Sequence, residues 1–254
     1  MMIGSFSFDG VESSSFGLVC KSVKRPLLPQ RKISRKDVVG VSGVFDSDIS
    51  AYEMRTITIK VTYIGEDYYE LRTRARSIAS WLSAKGWREL QLHDEDDKYY
   101  LAKVTSEIDL ESLWESGSAN IVFDCQPFAY GNYKNLNFGV VEEGMFDFNY
   151  DGTYEINNTS PIGSRFKITI SGEWTSLWLD MNNRYLEISK VSTGSSVIID
   201  NVAMEVTMDG NNIFSDLSGD VDKFLQIEPG FNVLAVGGDD VDVQVYINYI
   251  EMWI

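Results

Sequence analysis

Only one histidine, His93, stands among the 254 residues, and that alone removes most catalytic options. A zinc site built from several imidazoles is impossible, and any Ser–His or Cys–His nucleophilic pair would have to use this one ring. His93 opens the acidic run His93-Asp94-Glu95-Asp96-Asp97-Lys98, where an exposed surface histidine is the expected state. The four carboxylates could offer oxygen ligands to calcium, but the central Gly and distal Glu of a calcium loop are missing and Lys98 adds an opposing charge. The run therefore reads as a solvated hairpin turn, and Asp239, Asp240 and Asp242 read the same way. Two carboxylates could hydrolyse a glycoside, yet with 38 acidic residues in the chain no pair stands out. No G-x-S-x-G, G-x-x-x-x-G-K or G-x-G-x-x-G occurs, so esterase and nucleotide chemistry have no motif. The expectation is a protein with no catalytic residue, no metal ligand set and no cofactor, and hence not an enzyme.

Cys20 and Cys125 are far apart in the chain, and without a signal peptide they are expected to be free, buried thiols. Trp174, Trp178, Tyr185 and Trp253 fall in a strand-rich region. Exposed aromatic rings there could stack on sugar rings, with Trp174 and Trp178 as the candidate contacts. Filling the core is the other use of the same residues, and the sequence leaves both open.

The elements that would position these groups are mostly strands. Between Asp67 and Ser106 lies the one convincing helix, with Leu71, Ala75, Ile78, Ala79 and Leu82 on one face and Arg72, Arg74, Arg76, Ser80 and Ser83 on the other. Asp67 with Glu70 has the form of a capping box, and Gly86 after Lys85 suits a left-handed C-cap. Strands are expected at Trp87–Leu92 and Tyr99–Ser106. Asp9-Gly10 is a turn signal between Ser5 and Leu18, and a strand near Val19–Lys24 ends at Pro26 and Pro29. Tyr52–Tyr63 alternates, with Met54, Ile57, Ile59, Val61 and Tyr63 set against Arg55, Thr58, Lys60 and Thr62, allowing one shift of phase. From Gln30 to Ser50 the chain is polar and mixed in charge. It is either an extended arm reaching a neighbouring subunit or a flexible loop.

Length favours two domains, and charge divides the chain in the same way. Residues through Asn135 carry 17 basic and 19 acidic side chains, net −2, and the remainder carries 5 and 19, net −14. The acidic second half is unsuited to gripping phosphates. Gly131–Asn137 is polar and marks the boundary, giving domains 1–135 and 136–254. The first is expected to be α+β, mainly antiparallel with one helix. The second shows no helical periodicity, and its short strands and turns suggest a β-sandwich or jelly roll. Turns are expected at Asn157-Asn158, Asn182-Asn183 and Asp209-Gly210, among others. Val241, Val243, Val245, Ile247 and Tyr249 should face its core, with Asp242, Gln244, Tyr246 and Asn248 outward. No run of about 18 apolar residues suggests a membrane span. MMIGSFSFDG lacks the basic and apolar regions of a signal peptide, so synthesis in the cytoplasm is expected.

Several stretches together resemble the distal tail proteins of long-tailed, non-contractile phages. Leu90, Leu92, Asp94, Tyr99, Tyr100, Ala102 and Val104 carry an L-x-L-x-D, acidic turn, Tyr-Tyr, A-x-V pattern. Phe6 to Leu18, FSFDGVESSSFGL, resembles the family's opening. Phe123-Asp124-Cys125-Gln126-Pro127-Phe128-Ala129-Tyr130 resembles the close of its first domain. Asn157-Asn158-Thr159-Ser160-Pro161 followed by Ile168-Thr169-Ile170 fits the entry to its second, and Glu228-Pro229-Gly230-Phe231-Asn232 its late turn. The first half matches best and points to a Bacillus phage.

The resemblance implies a homohexameric ring at the tail tip, sometimes two stacked rings, formed through the first domain. Such a ring continues the tail tube on one side and docks the tail-tip hub or fibre protein on the other. DNA passes through it without specific binding, and no membrane is involved. The Gln30–Ser50 arm corresponds to the family's ring-clasping segment, which makes Arg31, Arg35, Lys36, Asp46 and Asp48 the candidate ring interface. The second domain would be a galectin-like sandwich. Galectins hold sugar with His-x-Asn-x-Arg and Trp-x-x-Glu-x-Arg strands, and neither occurs after Asn135, so a platform is expected rather than a lectin. The alternative from another class is a carbohydrate-binding module aiding recognition of the host cell wall. A glycosidase comes third.

Overall fold

The computed structural model describes residues 4–37, 40, 42, 44–64, 68–107, 117–142, 153–222 and 224–254. Its chain divides into two units, 1–130 with Ile254, and 131–253. The first contains β1 (Phe6–Phe8), β2 (Val11–Glu12), β3 (Leu18–Lys24), β4 (Arg31–Asp37), β5 (Val44–Tyr52) and β6 (Arg55–Tyr63). These are followed by α1 (Tyr68–Leu82), β7 (Arg88–Leu92), β8 (Glu95–Val104) and the start of β9 (Ala119–Glu142). Strand β9 continues through residues 131–137, where a polar linker was expected.

In the first unit the strand order is β2-β1-β7-β8-β9, with β3-β6 joined through β6 to β9. Asp9 and Gly10 both have positive φ (51° and 73°), the twist that a two-residue hairpin between β1 and β2 requires. Leu71, Ile78, Trp81 and Leu82 are the buried face of α1. Trp81 belongs to this face and Ala79 does not, a correction to the expected stripe. Trp81 stacks on Phe16 (4.7 Å between centroids) and Phe6 (5.8 Å), and its Nε1 donates to the Phe8 carbonyl at 2.7 Å. One indole thus ties the helix to β1, buries a large apolar area and satisfies its own polar atom. The helix ends at Leu82, so Gly86 (φ 79°) shapes the turn into β7 rather than capping the helix. Asp67 and its expected cap lie outside the described residues.

Two further expectations shift here. The β7–β8 turn is only His93-Asp94, because Glu95 already pairs with Leu92, so Asp96 and Asp97 lie on β8. On β6 no shift of phase occurs between its first residue and Val61. Arg55 is buried with Ile57, Ile59 and Val61, whereas Met54 is 56% exposed. Cys20 and Cys125 are free and buried, as expected.

The second unit contains the rest of β9, β10 (Thr153–Asn158), β11 (Arg165–Trp174), β12 (Ser176–Met181), β13 (Arg184–Ile188) and β14 (Ser192–Asp200). Then come β15 (Glu205–Met208), β16 (Asn211–Asn212), β17 (Leu217–Gly219), β18 (Gly230–Asp239) and β19 (Asp242–Trp253). One sheet runs β10-β18-β12-β13-β17, and β16-β15-β14-β11-β19 forms the facing layer. Leu177, Leu179, Leu234 and Val236 of the first meet Ile168, Ile170, Val197 and Ile199 of the second in one core, which makes the unit a β-sandwich. The alternation on β19 is as expected, with Val243, Val245, Ile247 and Tyr249 inward. Asn182-Asn183 and Asp209-Gly210 are turns with positive φ at both residues. Asn157-Asn158 is not a turn but the end of β10.

Candidate functional site

The segment that the sequence left between arm and loop is a β-hairpin. Strands β4 and β5 pair with each other and, among the described residues, with no other strand. The register sets Arg31 opposite Tyr52, Ile33 opposite Asp48, Arg35 opposite Asp46, and Lys36 opposite Phe45, with an irregularity between Arg31 and Ile33. All five candidate interface residues, Arg31, Arg35, Lys36, Asp46 and Asp48, therefore sit on this hairpin, and Arg35 and Asp46 occupy a cross-strand position that favours opposite charges.

The foot of the hairpin is fixed to the body of the unit. The Glu53 backbone N–H donates to the Gln30 carbonyl at 2.7 Å. The Arg31 guanidinium lies over the Tyr52 ring at 5.7 Å, and Tyr52 meets Phe128 of β9 edge to face at 5.4 Å. Just upstream, Arg25 donates to Glu95 at 2.9 Å and to Asp94 at 3.1 Å. Half of the acidic run is thus paired with Arg25 rather than only solvated. Lys98 holds Asp97 at 2.9 Å, and this bond keeps the Asp97 carboxyl below its usual range. His93 is exposed.

Behind this foot lies Arg55, 4% exposed. Its guanidinium sits over the Tyr100 ring at 5.5 Å, and Nε and Nη2 have no hydrogen-bond partner among the described residues. Burial pulls its pKa down. Tyr100 donates to Glu95 at 3.4 Å. Cys125 lies opposite Arg55 on β9, and burial pushes its thiol up to about 12. A thiol held protonated in this way is a poor nucleophile.

In the sandwich the two candidate sugar contacts separate. Trp174 is 1% exposed and its Nε1 donates to the Lys190 carbonyl at 2.8 Å. Its ring fills the core and has no face to offer a ligand, which corrects its candidacy. Trp178 is half-buried and stacks beside Tyr185 at 6.3 Å with 27° between the planes. The pattern Leu177-Trp178-Leu179 carries this answer, since the two leucines point inward and set Trp178 on the opposite face.

Three buried polar residues escaped the sequence reading as individuals, although two lie in the quoted motifs. Asn232 is fully buried; its Nδ2 donates to the carbonyls of Glu228 and Gly230 at 2.9 Å, and its Oδ1 accepts from Glu228 N and Asn182 Nδ2 at 2.7 Å. Asn158 donates to the Ile162 and Glu228 carbonyls at 3.1 Å. Glu251 accepts from Lys134 Nζ at 2.7 Å and from Thr159 N and Oγ1 at 2.9 and 2.8 Å. Burial pushes the Glu251 carboxyl up, but these donors outweigh it and leave it below its ordinary range. The motif residues are clamps for loop backbone rather than ligand contacts.

Among the described residues no cluster of His, Cys, Asp and Glu could hold a metal, and no helix is long and apolar enough to cross a membrane. Residues 12–125 match the family model of the phage tail protein RIFT-related domain, and residues 157–253 match that of the siphovirus-type tail component, C-terminal domain. Among solved structures, the chain is similar to the Dit protein of phage SPP1, with 14% identity, a TM-score of 0.75, and coverage of 98% of this chain and 99% of that one. It also matches a chain of the phage p2 baseplate in its activated conformation with Sr, at 13% identity, a TM-score of 0.47 and 97% of each chain covered. No curated protein matches it. With one tail-protein model on each side of the unit boundary, together spanning most of the sequence, the chain belongs to the siphophage distal tail protein family.

Proposed function

We propose that this protein is a structural hub of the phage tail tip, closing into a homohexameric ring that joins the tail tube to the host-adsorption apparatus. The observation that carries this reading is the detached β4–β5 hairpin. An isolated two-stranded ribbon is marginally stable in water, and its unpaired edges are templates for another chain. A ribbon anchored at its foot by Tyr52, Phe128 and the Gln30–Glu53 bond is completed by a neighbouring copy. Because the arm and the surface that receives it differ, the contact is heterologous, and rotation closes it into a ring. The similar SPP1 protein is described as a paradigm of the hub adsorption apparatus in phages infecting Gram-positive hosts, which supports the same role here. In this reading the protein is made in the host cytoplasm and resides at the virion tail tip. Its partners are further copies of itself, the tail tube protein and a hub or fibre protein, and DNA passes through without specific contacts.

Deleting residues 32–51 should abolish assembly while leaving the melting of the sandwich unchanged. Rings that persist without the arm would sink the proposal. A second reading, a carbohydrate-binding module, is favoured by the Trp178–Tyr185 pair alone. Saturable binding to wall polysaccharide that disappears in Trp178→Ala would support it.

A further inference from the structure

We propose that Leu27 and Leu28 form the apolar anchor of the contact between copies, docking on an acidic surface of a second copy of this chain; the inference rests on the ring reading above. Leu27 is 88% exposed and Leu28 67%, yet the segment that carries them is fixed at both ends. Arg25 is locked to Asp94 and Glu95 at 3.1 and 2.9 Å, Pro29 is buried, and the Gln30–Glu53 bond closes the foot of the arm. Pro26 and Pro29 restrict the backbone on either side. The tether restrains the backbone that carries the two leucines before any docking, which lowers the entropy lost when they are buried. Exposed Ile33 (44%) and Met54 (56%) extend the apolar character onto the arm and past its foot.

Charge identifies the occupant. Residues 21–36 carry seven of the chain's 22 Lys and Arg and no Asp or Glu, while the rest of residues 1–135 carries 10 Lys and Arg against 19 Asp and Glu. Lys24 and Lys32 are exposed, and no acidic partner is recorded for either among the described residues. A basic collar around an apolar knob is complementary to an acidic surface with an apolar recess, and copies of this same chain supply an abundance of acidic surface. Charges at the rim then set the rate and salt dependence of association, and the leucines set its strength.

The test is sedimentation velocity of the full chain over a wide concentration range, for wild type, L27S/L28S and K24E/K32E. Both double variants change exposed side chains only, so unfolding midpoints should match wild type. The expected result is assembly weakened at least roughly tenfold in L27S/L28S, a fold-change worth about 1.4 kcal/mol. K24E/K32E and molar salt should weaken it as well. A photo-crosslinker placed at position 28 should join two copies of the chain. Assembly in L27S/L28S as tight as wild type overturns this proposal and leaves the ring reading standing. A wild type that stays monomeric at every concentration overturns the ring reading and this proposal with it. Assembly untouched in L27S/L28S, with binding to phosphatidylglycerol vesicles lost in that variant, assigns the knob to a lipid surface and also overturns it.

Discussion

Asn232 and Arg55 are both buried polar side chains, one in each unit, and their surroundings differ. Asn232 has its amide nitrogen on two carbonyls and its oxygen on two donors, all within the sandwich. Arg55 has an aromatic ring beneath it and two guanidinium nitrogens with no partner among the described residues. Asn158 and Glu251 follow the pattern of Asn232. The β4–β5 ribbon has no third strand among the described residues. Within the sandwich Asn158, Asn232 and Glu251 are satisfied by the fold, while the Ser164 hydroxyl and the Asn201 side-chain amide are buried with no partner among the described residues. Arg55 differs in carrying a full charge, so its unmatched nitrogens are the costlier to bury.

Four substitutions sharpen or break this contrast. Trp174→Ala should destabilise the sandwich by about 3–5 kcal/mol through the cavity it leaves, whereas Trp178→Ala on the outer face should cost under about 1 kcal/mol. Denaturant melts of the two variants check this, and equal losses would contradict the inside–outside assignment. Asn232→Ala should cost about 2–3 kcal/mol, because the Glu228 and Gly230 carbonyls lose their donor inside the fold. Arg55→Met should have the opposite sign, stabilising the first unit by about 1 kcal/mol, since unmatched buried donors are removed and a side chain of similar length is kept. A destabilised Arg55→Met would show that the guanidinium is better satisfied than its geometry implies.

The smallest effect is in the pH profile. Glu251 is held below its ordinary range in the folded state, so it contributes stability above the unfolded carboxyl value of about 4.3. That contribution is lost as pH falls through the lower folded value. Thermal midpoints of Glu251→Gln should therefore be lower than wild type near neutrality and converge with it in acid. A constant offset across the titration would count against the linkage.

Much of this was legible in the sequence wherever one face of an element meets a core. The β19 alternation, the Asp9-Gly10, Asn182-Asn183 and Asp209-Gly210 turns and the one helix all follow from periodicity or from residues that tolerate positive φ. The arm was ambiguous for the same reason inverted. A ribbon without a core face has no apolar period of two, so its composition resembles a loop. The charge of Arg55 argues against burial, whereas its spacing from Ile57 and Ile59 places it inside. Trp174 and Trp178 have the same side chain, and only the flanking Leu177 and Leu179 tell them apart. Asn158 and Asn232 stood in motif positions, but their role as backbone clamps depends on which loops come together in space, and that is a property of the fold.

The most direct test of the central claim is electron microscopy of the purified protein at the highest concentration it tolerates, with its mass in solution measured on the same sample. Closed six-fold rings are expected, single or stacked in pairs, with the β4–β5 arm of each copy against its neighbour. A strict monomer, or a two-fold dimer with its arms unengaged, would contradict it.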